Sequence, residues 1–274
     1  MPVISTNTAA NTALRYLNNN STAQSESLAK LSSGSRIVSA KDDASGLAIA
    51  TSMNADITVL NQAATNVTSG TSVLNTADGA LSNVADILQR MNSLTAQAQS
   101  GSSSADDLGY IDAEYQQLLE EIDDITNTTN FNGVALLDGA SDYSTGVDFL
   151  VGTASTDTIT VKLDGATTSD LSLSGTAITD AASAAANMDL ISAAITQVSE
   201  MRANVGATLS RFEFRGDVIS TSLENLQSAE SAISDVDIAT EQTNFTNYQT
   251  LTSAAISALS QANSMSQSLL KLLQ

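Results

Sequence analysis

Six positions in this chain, Met53, Leu60, Val67, Leu74, Leu81 and Leu88, carry an apolar residue at strict seven-residue spacing. That period keeps the side chains on one stripe of an α-helix; a strand, whose faces alternate with period two, cannot hold them together. The companion positions Gly70, Ala77, Val84 and Met91 widen the stripe toward its C-terminal half. The pattern predicts one helix from about residue 44 to 100, roughly 85 Å long at 1.5 Å per residue. A helix of that length is far longer than a globular average and needs other helices against its stripe.

The rest of the chain is read around it. Leu14, Leu17, Leu28 and Leu31 form a 3-4 frame interrupted at Ser21 and Gln24, and the run Ser32-Ser33-Gly34-Ser35 breaks it. A third helical segment carries Leu108, Ile111, Tyr115, Leu118, Ile122 and Ile125, with Asp106 and Asp107 placed to cap its first turn. From about 131 to 180 the character changes. Phe131-Asn132-Gly133 and Asp138-Gly139 signal turns, while Thr158–Leu163 and, briefly, Leu171–Leu173 alternate with period two and predict short strands. Helical spacing returns with Val198, Val205, Leu209, Phe212, Ile219, Leu223, Leu226 and Ile233, then with Phe245, Tyr248, Ile256, Leu259, Met265, Leu269, Leu270, Leu272 and Leu273.

The expected fold is therefore mainly α: a long antiparallel coiled-coil or helical bundle drawn from both chain ends, with a small central β-rich region. The segments are 1–42 and 235–274 as the two inner ends, 43–130 and 181–234 as the bundle, and 131–180 as the centre. No third helix remains to cover the two ends. Leu14, Leu17, Leu28, Leu31, Ile256, Leu259, Leu269, Leu270 and Leu273 are read as contacts completed by other copies of the chain, an open-ended arrangement that gives a helical polymer. Met53, Leu60, Val67, Leu74, Leu81, Leu88, Leu209, Phe212, Leu223 and Leu226 are read as bundle core.

Composition narrows the function. Ten basic residues face thirty acidic ones, for a formal charge of −20. Nucleic acid and anionic membranes, which need Lys and Arg, are poor partners for such a chain. It holds no His and no Cys, which removes the commonest general base, the thiolate nucleophile and the soft metal ligands. Clustered acids such as Glu120, Glu121, Asp123 and Asp124 lack the spacing of a calcium loop and are read as a solvated face or as caps. No cofactor and no catalytic set is expected. Arg36 with Asp42 and Asp43 reads either as a clamp between helical layers or as a loop ion pair worth at most about 1 kcal/mol, with either aspartate also able to cap the long helix. The start of the chain carries no basic-then-apolar leader, and no run of 18 apolar residues occurs; export without a cleaved signal peptide is expected.

At this point the motifs converge. Leu31-Ser32-Ser33-Gly34-Ser35-Arg36-Ile37-Val38-Ser39-Ala40-Lys41-Asp42-Asp43-Ala44-Ser45-Gly46-Leu47-Ala48-Ile49 closely resembles the N-terminal signature of bacterial flagellins. Leu74–Leu81, Leu88-Gln89-Arg90 and Phe131-Asn132-Gly133 continue the likeness, as do Arg211-Phe212-Glu213, Ser231–Glu241 and Gln261-Ala262-Asn263 with the closing leucines. The resemblance implies a short flagellin with a minimal outer region: a filament subunit for swimming, joined to its own copies through the terminal helices and placed outside the cell. It also implies as partners the hook-junction and cap proteins, the export apparatus and an export chaperone. Gln89, Arg90, Leu94 and Glu114 are similar to the surface that Toll-like receptor 5 reads in enterobacterial flagellins. The alternatives are a hook–filament junction protein, a soluble adhesive or signalling coiled coil that uses its β-rich centre, and an enzyme.

Overall fold

In the computed structural model, residues 6–100 and 104–272 are described, with side chains as far as Ser268. Ten elements follow in order: α1 (Thr8–Ser33), α2 (Ala44–Gln99), α3 (Ala105–Thr128), β1 (Asn130–Phe131), β2 (Val134–Ala135), α4 (Asp142–Thr145), β3 (Val147–Leu150), β4 (Thr158–Val161), α5 (Ala181–Ser234) and α6 (Ile238–Leu272). They divide into two compact units, one of residues 1–57 with 224–274 and one of residues 58–223.

Helix starts are set by acidic caps. Asp43 Oδ1 accepts from the amides of Ser45 and Gly46 at the head of α2, and Asp237 Oδ1 accepts from Ala239 and Thr240 at the head of α6. Ser104 and Asp107 form a reciprocal capping box on α3, and Asp180 with Ser183 makes the equivalent exchange on α5. α1 ends at Gly34, whose φ of 72° is cheap only for glycine and whose amide closes onto the Lys30 carbonyl. Within the helices, hydroxyls such as those of Thr68, Thr71, Ser72 and Thr76 bond back to the carbonyl four residues earlier. This is how so many Ser and Thr residues are carried in helix rather than loop.

In the unit of residues 58–223, the seven-residue stripe becomes core. Leu60, Val67, Leu74, Leu81 and Leu88 are buried, as are the companions Gly70, Ala77, Val84 and Met91. α5 answers with its own seven-residue set, Ile191, Val198, Val205, Phe212 and Ile219, all buried. The two helices run antiparallel: Gly70 abuts Phe212, Val67 approaches Gly216, and further along Asp78 meets Arg202, with Nε 2.9 Å from Oδ1. α3 adds Ile111, Tyr115, Leu119 and Ile122. Leu209 and Leu223 are half-buried in the same frame.

The chain between α3 and α5 folds onto this unit. β1 and β2 pair around Asn132-Gly133, both at positive φ. β3 and β4 form a four-pair antiparallel ribbon in which Ile159 and Val161 face inward. Phe149 from β3 meets Phe212 edge-on with ring centroids 5.8 Å apart. Leu171–Leu173 is not a strand: it is a turn with Ser172 at φ 59°. The Leu-Ser-Leu alternation arises because both leucines plug the core while the chain reverses between them. The loop is anchored by Asp123, whose carboxylate accepts from the amide and hydroxyl of Thr168, and by Asp112, which accepts from the Ile178 amide.

Candidate functional site

The unit of residues 1–57 and 224–274 is built on α1 against α6, and its seam is polar. Asn7 donates through Nδ2 to the Ala262 carbonyl at 3.0 Å and to Ser266 Oγ at 2.8 Å. At the other end of α1 the Ser27 hydroxyl donates to the Glu241 carboxylate, and Ser27 is the single buried residue of the helix. As the numbers rise along α1 the partners fall along α6, so the pair is antiparallel. Among the described side chains of α6 none is buried.

Large apolar side chains are left facing outward. Leu14, Tyr16 and Leu28 on α1 and Leu251 on α6 are exposed; Ile256 and Met265 retain 55% and 59% of their surface. Leu17, Leu31 and Leu259 are half-buried, as are Met53 on α2 and Leu226 on α5. The side chains of Leu269 and Leu270, and all of Leu273, lie outside the described residues. Together these side chains leave apolar surface along both helices uncovered.

Between α1 and α2 the connection is locked to the end of α5. Ser35 and Asp235 form an isolated antiparallel bridge, with the Arg36 amide donating to the Ser234 carbonyl at 2.6 Å and the Val236 amide to that of Gly34 at 3.1 Å. Arg36 does not pair with Asp42 or Asp43. Its guanidinium donates to the carbonyls of Ile233 and Ala232, at the C-terminal end of α5. The reason is local: the last carbonyls of a helix lack partners and carry partial negative charge, whereas the two carboxylates are committed to amides. Asp42 Oδ2 accepts from Val38 and Ser39, and the Ser39 amide is the first cause holding its carboxyl below the usual range. Asp43 caps α2 as given above.

On the α2–α3 face, Arg90 pairs with Glu114, Nη2 to Oε1 at 2.7 Å, with both side chains about half-exposed. Gln89 is exposed. Leu94 is not at the surface: only 2% of it is accessible, so it forms the floor of a groove edged by Tyr110 and Glu114. Sequence periodicity missed a second surface. Phe214 and Val218 on α5 are exposed beside Arg211 and Arg215. Phe214 sits two residues from core Phe212, and that offset from the buried stripe was the available signal.

Long paired helices that leave apolar side chains exposed define the class, an α-helical structural protein; among the described residues no group of three or more His, Cys, Asp or Glu could hold a metal ion. Comparison with known proteins gives the class its name. The family model "Bacterial flagellin N-terminal helical region" matches residues 4–142, and "Bacterial flagellin C-terminal helical region" matches 188–273. The chain is 40% identical to flagellin of Halalkalibacterium halodurans, with 99% of this chain and 100% of the relative aligned. It is 36% identical to the flagellar filament 30.7 kDa core protein of Treponema maltophilum, over 99% of each. The crystal structure of Bacillus cereus flagellin superposes with a TM-score of 0.52 at 32% identity, covering 61% of this chain and 94% of that one. The chain belongs to the bacterial flagellin family: it is a structural subunit of the flagellar filament and not an enzyme.

Proposed function

We propose that the outward apolar faces of α1 and α6, together with the terminal leucines Leu269, Leu270 and Leu273, are where copies of this chain join. The single observation that carries this reading is that α1 and α6 pair from Asn7 with Ser266 to Ser27 with Glu241, yet bury only Ser27 among their described side chains. Burial of apolar area is the main gain in folding, and here most of that gain is deferred until a neighbour arrives. Arg36, Asp42 and Asp43 hold the connection between α1 and α2 in one conformation so that each copy presents the same face.

Family membership supports the remaining partners. The chain leaves the cell through the flagellar export apparatus with an export chaperone, without a cleaved signal peptide. It takes its place outside the cell between the hook-junction and cap proteins. The groove of Arg90, Leu94 and Glu114, with Gln89 beside it, is the surface through which Toll-like receptor 5 would read the monomer.

Seeded growth tests the central reading. Dissociated subunits should elongate filament seeds. A chain lacking roughly its last 35 residues should stay folded over 58–223 and fail to elongate them. A full-length chain that remains monomeric on seeds would end this reading, as would a truncated chain that grows as well as the intact one.

A further inference from the structure

Four α5 residues, Arg211, Phe214, Arg215 and Val218, fall on one stripe at positions i, i+3, i+4 and i+7. Phe214 is 73% exposed and Val218 53%, and with Val151 and Ile159 they shape a shallow apolar groove. Arg211 is exposed and has no carboxylate within ion-pair distance among the described residues. Arg215 reaches Asp157 only at 3.6 Å. By contrast Arg90, Lys162 and Arg202, the other basic residues of this unit, are each paired within 2.9 Å. Glu213 and Asp217 lie on the same helix, but at 3.6 residues per turn they are turned about 160° and 120° away from Arg211, and neither pairs with it. A chain with three acidic residues for every basic one has thus left a guanidinium uncompensated beside an uncovered aromatic ring.

The complementary surface is on α3. Gln117, Glu120, Glu121 and Asp124 repeat the same spacing, and all four are exposed. α3 contains no Lys or Arg, and among the described residues none of these three carboxylates takes part in an ion pair. Glu120 and Asp124 are four residues apart on a helix, as are Arg211 and Arg215, so each pair spans about 5–6 Å. Two helices crossing side by side can therefore match both charge pairs at once.

We propose that the α5 groove of one copy receives the α3 carboxylate stripe of a second copy, with Arg211 against Glu120 or Asp124 and Phe214 covered by the contact. This rests on the self-assembly reading above and adds a lateral contact between units of residues 58–223. The two patches differ, so the contact is heterologous and repeats without closing, as a filament requires. Charge pairs of this kind set register and partner choice more than bulk affinity.

The test is a charge swap in the full-length chain, read as the critical concentration for growth on wild-type seeds, with helicity and melting measured on each monomer. Arg211→Glu should raise the critical concentration about tenfold or more, the change expected from losing one well-placed pair. Arg211→Gln should give a smaller rise, and Glu120→Arg with Asp124→Arg should match the loss seen in Arg211→Glu. Combining the reversals on both stripes in one chain should restore growth on seeds of that same chain to within about threefold of wild type. The proposal is overturned if Arg211→Glu grows as wild type does, or if the combined variant stays as poor as the single ones. Wild-type subunits that do not elongate seeds at all would instead remove the self-assembly reading itself.

Discussion

The ring of Phe212 occupies the space that a side chain at position 70 would need. A Cβ built on Gly70 would lie 2.6 Å from Phe212 Cζ and 2.8 Å from Cε1, and Phe212 is fully buried against Phe149. Gly216, on the same interface, is different: a Cβ there would meet Val67 Cγ1 at an ordinary 3.5 Å. Glycine within a helix costs about 0.5–1 kcal/mol against alanine, while forcing a methyl into a filled core costs about 1–3 kcal/mol. Gly70→Ala should therefore lower stability by about 1–2 kcal/mol net, and Gly216→Ala should raise it by several tenths. Chemical denaturation of both variants checks the pair; Gly70→Ala combined with Phe212→Leu should lose less than the two single changes added together.

Core and contact residues separate by the measurement that reports them. Leu88→Ala removes a side chain with no accessible surface and should cost about 2–5 kcal/mol of monomer stability. Ile256→Ala trims a residue that is 55% exposed in the monomer, so thermal melting should change little while the critical concentration for growth on seeds rises. Equal effects of the two changes on melting would contradict the assignment of Ile256 to contacts between copies.

Helix caps give the chain an acid-sensitive set of ends. The Ser104 hydroxyl holds the Asp107 carboxyl below its usual range, the Thr240 hydroxyl does the same for Asp237, and the Ser183 amide for Asp180. A carboxyl whose folded pKa is depressed contributes stability that is fully present above its unfolded value near 3.8 and is lost as pH falls through the folded value. Protection of the amides in the first turns of α3, α5 and α6, relative to their intrinsic exchange at the same pH, should fall below about pH 4. Asp107→Asn keeps an acceptor but cannot titrate, so it should remove this pH dependence at the head of α3 and leave that of α5 and α6 unchanged.

Arg36 acts on carbonyls rather than on carboxylates, and substitutions should show it. Arg36→Lys retains a charge near the end of α5 but loses the planar Nη2 group that donates to both carbonyls. Arg36→Ala loses both. Exchange of the amides of residues 234–236 should speed up in the order wild type, lysine, alanine, with Asp42→Asn leaving those amides unaffected.

The helical body was legible because its signal is long. A seven-residue stripe repeated over six positions can be satisfied only by a helix with a partner, and both α2 and α5 follow it through Leu88 and Ile219. Leu171–Leu173 misled because alternation records which side chains are buried, and a turn that buries two leucines writes the same three letters as a strand. The acceptor of Arg36 was not legible at all: it is a backbone carbonyl about two hundred residues along the chain, and backbone atoms leave no trace in side-chain patterns. Nor does periodicity say which apolar residues stay outside. Leu14 and Leu28 carry the same spacing as buried Leu81, and only the polar seam from Asn7 to Ala262 and from Ser27 to Glu241 shows that their face has no cover.

That seam also sets the order in which the chain can fold. Asn7 bonds to residues 255 and 259 positions later, and Ser27 to one 214 positions later. Contacts so distant close late, because the long intervening chain must be looped or ordered before they are gained. The unit of residues 58–223 closes contacts among its own residues, but α1 must wait for α6. The helix pair of α1 and α6 is therefore completed late, whereas the unit of residues 58–223 needs neither of them to close.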